Sequence, residues 1–195
     1  MLNNRLTTGF VLLSSIVVAQ QNGRFATLKN QAFELFDRGR YDQVSGRLEE
    51  VWEQDRSDTK VAEYLAMGYL YGDHSVAKAR DVMRASLEGG GRATFLVHHS
   101  HEKLGALNGD TINNYCNGRI SVVPGKIIFT ADSGEHSTSF GSEDLKEFRV
   151  LGGSPGRVQI KSGGKTYLFR VKSEMNDEAA LFQEMAEQNL KKKQE

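Results

Sequence analysis

Four of the five histidines lie in the second half of the chain, and three of those four fall within residues 98–101. His99 and His101 alternate, so on a β-strand both imidazoles point to the same face. Cys116, the only cysteine, and His136 each stand near the start of a later predicted strand. Three imidazoles and one thiolate form a donor set that binds zinc or copper. If these strand ends meet, His99, His101, Cys116 and His136 form a metal site.

The same residues also fit a structure without metal, which is the interpretation that the sequence favours. His98 and His101 would then lie in solvent at a strand end, and His99 would form a hydrogen bond inside the mouth of the β-barrel. Cys116 shares its alternation with apolar side chains of the following strand, a pattern that indicates a small buried residue. No Cys-x-x-Cys or His-x-x-x-His pair accompanies the cluster. We therefore expect no cofactor, with zinc or copper as the alternative.

No arrangement of residues in the chain is typical of a catalytic site. The serines of glycine-rich turns, such as Ser162-Gly163-Gly164, do not form a Gly-x-Ser-x-Gly elbow. Gly89-Gly90-Gly91 lacks the Lys-Ser/Thr pair that a phosphate-binding loop requires. The 25 basic and 25 acidic side chains balance, which removes the global charge that drives sequence-independent nucleic-acid binding. We expect neither an enzyme nor a nucleic-acid partner.

The elements before these residues follow a helical period from Phe25 to Glu88. Two short antiparallel helices are predicted around Gly39-Arg40-Tyr41, and a second pair around Gly72-Asp73-His74. A shift of 35 residues superposes the apolar positions of the two pairs: Ala32 on Met67, Phe36 on Tyr71, Val44 on Ala79 and Leu48 on Met83. One helical hairpin is therefore predicted to occur twice.

This helical segment resembles tetratricopeptide and Sel1-like repeats. Met67-Gly68-x-x-Tyr71 stands where these families place Leu-Gly-x-x-Tyr, and residues 39–44 resemble their Gly-x-Tyr-x-x-Ala turn. The resemblance implies a helical domain over residues 24–90 that grips a protein or peptide on its concave face. Tyr64 and Tyr71 share one face of the second repeat and are the predicted partner-binding residues, with core packing as their alternative role.

Beyond residue 91 the apolar residues alternate as in β-strands. Strands are predicted over residues 93–99, 116–122, 126–130, 136–140, 145–150, 157–160 and 167–171. An amphipathic helix over 176–191 follows, and its apolar face consists of Leu181, Phe182, Met185 and Ala186. This order resembles the pleckstrin-homology-like fold, including its GRAM-type relatives. The resemblance implies an antiparallel β-barrel or sandwich over residues 92–190, capped by the helix and followed by a basic tail, residues 191–195.

Phosphoinositide-binding members of that family use a lysine in the first strand or loop and a pair of basic residues in the second strand. Lys103 and Arg119 occupy those regions here, with Ser121 in place of the second basic residue. Two such cations give modest charge-assisted pairing to a phosphate, so the favoured interpretation is that both are solvated. Lipid binding is an alternative function, and membrane association is otherwise unsupported.

The first 19 residues differ in composition from the rest of the chain. Residues 1–5 form a short basic start that ends in Arg5, and residues 10–18 form an apolar run broken only by Ser14 and Ser15. Val17-Val18-Ala19 offers small residues at a cleavage point, as in a secretory signal peptide. The run is shorter than the roughly 20 residues that span a bilayer. We expect a signal peptide over 1–19 and a secreted or periplasmic protein, with an uncleaved anchor or a core helix as the alternatives.

These patterns predict an α+β protein in which helical hairpin repeats precede a small antiparallel β-barrel or sandwich with a C-terminal helix. The function that we expect is that of an exported, non-catalytic adaptor that binds a protein or peptide partner. The alternative is a metal- or lipid-binding module that uses the histidine cluster or the mouth of the barrel. The sequence indicates neither the identity of the partner nor the oligomeric state.

Overall fold

A computed structural model of the 195-residue chain describes residues 6–101, 115–151, 156–172 and 176–191. The helices of the first half are α1 (Leu6–Asp37), a 3-10 turn (Tyr41–Gln43), α2 (Ser45–Gln54), α3 (Thr59–Tyr71) and α4 (Val76–Glu88). They are followed by β1 (Ala93–Ser100), β2 (Tyr115–Val123), β3 (Lys126–Ala131), β4 (Ser137–Gly141), β5 (Leu145–Leu151), β6 (Arg157–Ser162), β7 (Lys165–Val171) and α5 (Asn176–Lys191). The predicted α+β fold class is confirmed.

The helices form consecutive hairpins, as their periodicity predicts. At the end of α1, Gly39 adopts a φ of 73°, and its N–H donates to the Phe36 carbonyl at 2.9 Å. The Arg40 N–H donates to the Leu35 carbonyl, also at 2.9 Å. This pair of bonds satisfies the last carbonyls of α1 and turns the chain, and the left-handed backbone favours glycine at position 39. The first hairpin therefore bends where the sequence indicated.

The positions related by the shift of 35 residues are largely buried in both hairpins. Ala32, Val44, Leu48, Met67, Ala79 and Met83 are each 0% exposed, and Phe36 is 2% exposed. Tyr71 is half-buried and packs against the same core. The correspondence between the two hairpins therefore extends to their burial, while membership of a tetratricopeptide or Sel1-like family stays a prediction.

The first helix is longer than the sequence predicted. α1 runs from Leu6 to Asp37 without a break, through most of the segment interpreted as a signal peptide. Cleavage after residue 19 is not tested by this helix and stays a prediction. Within the described ranges, no helix has the length and the apolar content that crossing a membrane requires.

All seven strands belong to one antiparallel sheet with the order β4-β3-β2-β1-β7-β6-β5. Adjacent strands lie about 4.8 Å apart, so β4 and β7 would be roughly 19 Å apart in a flat sheet. Yet the rings of Phe140 in β4 and Tyr167 in β7 are 4.9 Å apart between centroids. The sheet therefore curls strongly around its own core, as expected of a barrel or sandwich.

Helix α5 lies against the sheet and also against α4. Its predicted apolar face, Leu181, Phe182, Met185 and Ala186, is 0% exposed. The ring of Phe182 contacts Phe95 of β1 at 5.2 Å and Phe148 of β5 at 5.5 Å. Glu184, on the same helix, accepts hydrogen bonds from Arg80 and Arg84 of α4. This helix therefore joins the helical hairpins to the sheet.

Candidate metal centre

The four predicted donors lie at one end of the sheet, on three adjacent stretches of chain. His99 of β1 pairs directly with Cys116 of β2 in the antiparallel register. His101 follows β1 by one residue, and His136 immediately precedes β4. The His136 carbonyl accepts from the Ala131 N–H of β3 at 3.0 Å, and the His136 imidazole lies beside Cys116 of β2. The convergence that the sequence left open is therefore present.

The donor atoms are close enough to share one ion. His99, His101, Cys116 and His136 each offer one ligand atom, and these atoms all lie within 4.8 Å of one another. The Cys116 Sγ atom is 3.8 Å from His99 Nδ1 and 3.6 Å from His136 Nε2, and the two nitrogens are 3.3 Å apart.

These separations can be compared with those around a real ion. Tetrahedral zinc, with about 2.3 Å to sulfur and about 2.05 Å to nitrogen, separates S from N by about 3.6 Å and N from N by about 3.3 Å. The triangle formed by His99, Cys116 and His136 matches these edges within about 0.2 Å, so its side chains need little movement to accept zinc.

His99 is enclosed by aromatic rings on the inner face of the sheet. Its ring lies 4.9 Å from Phe129 and 5.1 Å from Phe169 between centroids, and the residue is 9% exposed. This burial, with the neighbouring charges of His101 and His136, lowers the pKa of His99 to about 4. The imidazole is therefore neutral at pH 7, which is the state that binds a metal.

Cys116 is half-buried beside these imidazoles. Burial raises the pKa of its thiol above the ordinary value, and the negative charges of Asp132 and Glu135 act in the same direction. Without an ion the sulfur is thus a thiol at neutral pH. A bound cation would deprotonate it, as zinc does with cysteine ligands.

The remaining histidine of the cluster, His98, lies on the other side of β1. It pairs with Asn117 of β2 and Arg170 of β7 and does not belong to the donor group. Burial lowers its pKa, although a hydrogen bond with Asn117 acts in the opposite direction. The alternation of strand residues therefore separates His98 from His99 and His101, as the sequence predicted.

The structure describes one of the two basic residues considered for lipid binding. Lys103 lies outside the described residues. The Arg119 guanidinium lies over the Phe36 ring, 5.3 Å from its centroid, beside a cavity of about 280 Å³ between the first hairpin and the sheet. Lys172 also lines this cavity. The sequence did not indicate this residue, because its place beside the cavity depends on the pairing of β7 with β1. Lipid binding stays a prediction.

The two predicted partner-binding tyrosines make contacts within the chain. Tyr64 packs on Phe33 at 4.3 Å and on Phe36 at 5.0 Å between ring centroids. The Tyr71 hydroxyl accepts a hydrogen bond from the Leu96 N–H at 2.7 Å and donates to the Glu178 carboxylate. Both residues are half-buried. A role for them in binding a partner stays a prediction.

No protein-family model and no curated protein matches this chain. Among solved structures, it is similar to the N-terminal PH domain of human ARAP2, with a TM-score of 0.41 and 13% identity over 54% of this chain and 84% of that one. It is also similar to the Vps36 N-terminal PH domain, with a TM-score of 0.35 and 16% identity over 52% of this chain and 76% of that one. For the PH domain of USP37 the TM-score is 0.34, with 15% identity over 51% of this chain and 99% of that one. All three are PH domains, but such low TM-scores do not indicate what this chain binds.

Proposed function

We propose that this chain is a non-catalytic binding protein whose β domain holds one transition-metal ion between His99, His101, Cys116 and His136. The observation that carries this proposal is the spacing of the donor atoms, all of which lie within 4.8 Å of one another. Three of them already form the triangle that a tetrahedral ion requires. Neutral His99 removes one charge repulsion that would oppose a cation.

Zinc is the first candidate for the ion. Three imidazoles and one thiolate are typical zinc ligands. Zinc sites in proteins are usually tetrahedral, and the spacing of these residues is close to that geometry. Copper is the second candidate, because it binds most nitrogen and sulfur sites more tightly than zinc does. Metal availability in the compartment of the protein would then decide which ion is present.

The direct test is elemental analysis of the full chain purified without chelators, followed by titration of metal-free protein with zinc. We expect one equivalent of zinc or copper, and loss of binding in Cys116→Ser and in His99→Ala. His98→Ala is the matched control, since this histidine neighbours the centre without belonging to it. Less than about a tenth of an equivalent, with no uptake on titration, would exclude the metal centre.

The proposal also includes a protein or peptide partner for the helical hairpins. The support is the hairpin pattern repeated at 35 residues, which is typical of repeats that bind peptides on one face. Crosslinking in the native host, followed by mass spectrometry, should recover a partner that is lost when Tyr64 and Tyr71 become alanine. Because Tyr71 also bonds within the chain, the Tyr64→Ala single variant is needed as well. Recovery of no partner would contradict this part of the proposal.

Export is the remaining part of the proposal. It rests on the basic start, the apolar run and the small residues that end at Ala19. Fractionation of the native host should place the protein outside the cytoplasm, and mass spectrometry of its first residues should show whether cleavage follows Ala19. A protein found only in the cytoplasm would contradict export.

A further inference from the structure

The four donors of the proposed metal centre are not held equally. His99 and Cys116 lie opposite each other in paired strands, and His136 is fixed by its carbonyl bond to Ala131. His101 lies beyond the last pair of the β1–β2 ladder, which joins Ser100 to Tyr115. It is the exposed member of the group, whereas the other three are partly or largely buried.

The geometry of the three inner donors does not depend on His101. Their mutual separations of 3.3, 3.6 and 3.8 Å already define one face of a tetrahedron around an ion. The fourth donor is the exposed His101, whose ring lies 5.0 Å from His99 and 5.2 Å from His136 between centroids. Zinc sites with three protein ligands hold water or another small molecule in the fourth position.

We infer that His101 is the replaceable ligand of this centre, and that a small nitrogen, thiolate or anionic donor from solution takes its place. This inference rests on the proposed metal centre. In the exchange, the bond between the metal and the His101 nitrogen breaks as the incoming donor supplies its lone pair, and no electron is transferred. On release of the ion the bond to His101 thus breaks first and the bonds to the other three ligands break afterwards; on loading the order is reversed.

The test uses the full-length chain loaded with Co²⁺, whose visible absorption reports its coordination. His101→Ala should still bind one equivalent, and azide or imidazole should change its spectrum at concentrations that leave His98→Ala unchanged. Transfer of zinc from His101→Ala to a coloured chelator should be at least about tenfold faster than from the unaltered chain, equivalent to about 1.4 kcal/mol in the barrier. The exposure of His101 makes a loss of folding unexpected, and far-ultraviolet circular dichroism would detect it.

Two results would overturn the inference while the metal centre stands. His101→Ala could bind no cobalt although the unaltered chain does, which would make His101 as essential as Cys116. Alternatively, the variant could release zinc at the rate of the unaltered chain and show no spectral change with azide or imidazole. Failure of the unaltered chain itself to bind cobalt or zinc would instead remove the proposed function.

Discussion

The His99 imidazole and the Cys116 thiol are both uncharged at neutral pH, for the same physical reason. Burial lowers the pKa of His99 and raises that of Cys116, because each group loses water that would stabilise its charged form. Metal uptake at the proposed centre would therefore release a proton from the cysteine and none from His99. Binding at this centre should weaken as the pH falls, because protons compete for the sulfur.

At the same scale, zinc should stabilise the folded chain. Zinc at about 100 times its dissociation constant adds about 2.7 kcal/mol to the free energy of unfolding, if it does not bind the unfolded chain. For a domain of this size, each kcal/mol raises the midpoint of thermal unfolding by roughly 2–4 °C. Calorimetry with and without zinc would measure this shift. It should disappear in Cys116→Ser and persist in His98→Ala; an equal shift in both variants would place the zinc elsewhere.

Asp58, which caps α3, should make stability depend on pH. Burial alone would raise the pKa of its carboxyl, but hydrogen bonds from the Lys29 ammonium, at 2.5 Å, and the Val61 N–H, at 3.0 Å, more than offset this and lower it. The folded pKa is thus below the unfolded one. The resulting stability is present above the unfolded value and is lost as the pH falls through the folded value.

Two substitutions of Asp58 separate its contribution as a helix cap from the pH dependence of its carboxylate. Asp58→Ala should lower the free energy of unfolding by about 1 kcal/mol at pH 7, as removal of N-caps typically does. Asp58→Asn keeps a capping oxygen but cannot titrate, so it should remove this acid-dependent contribution while preserving most of the cap. Urea unfolding of the three proteins across the acidic range measures both quantities. A pH profile for Asp58→Asn that matches the unaltered chain would contradict the assignment.

At the scale of elements, the spacing of apolar residues predicted the positions of most helices and strands. The helix pairs and the strands lie where the apolar periods predict, because each pattern depends on neighbouring residues alone. The continuation of α1 back to Leu6 was considered only as an alternative, since the basic and apolar composition of that segment resembled a targeting signal. A segment with the composition of a targeting signal can also form a helix, so its composition did not indicate where α1 begins.

The geometry of the proposed metal centre could be predicted only in part. Alternation along β1 selected His99 and His101 over His98, and the turn before β4 placed His136 near a strand end. The register that sets His99 opposite Cys116 depends on how two strands separated by 14 residues pair, which local patterns do not encode. The contact of Lys172 with the cavity depends likewise on the β1–β7 pairing.

Helix α5 should depend strongly on a single ring. Phe182 is 0% exposed and lies between Phe95 and Phe148, so Phe182→Ala should lower the free energy of unfolding by about 3–5 kcal/mol through lost burial and the cavity left behind. Chemical denaturation would measure the loss. Gln188→Ala, an exposed change further along α5, is the control and should alter stability by less than about 0.5 kcal/mol. Equal effects of the two changes would contradict this packing.

At the scale of the whole molecule, Tyr71 links the helical hairpins to strand β1 and to helix α5 of the β domain. Tyr71→Phe keeps the ring but removes the acceptor of the Leu96 N–H and one partner of the buried Glu178. We expect a loss of about 1–3 kcal/mol in the free energy of unfolding, because the Leu96 N–H loses its hydrogen bond.

The matched control for this change is Tyr69→Phe. The Tyr69 hydroxyl donates to the partly exposed Glu49 within the hairpins, so water can replace the lost bond there. Urea unfolding, followed separately by helical and by aromatic signals, should show the larger loss for Tyr71→Phe. If Tyr71→Phe lowered the free energy of unfolding no more than Tyr69→Phe does, the Tyr71 hydroxyl would not stabilise the contact between the helical hairpins and the β domain.

The central position of β1 in the sheet has a consequence for synthesis on the ribosome. β1 pairs with β2 on one side and with β7 on the other, so one of its edges waits for residues 168–171 to be translated. All four residues of the proposed metal centre have been made by residue 136. We therefore expect that the proposed centre can bind an ion while that edge is open, and that the β1–β7 pairing, which joins residues far apart in the sequence, forms late.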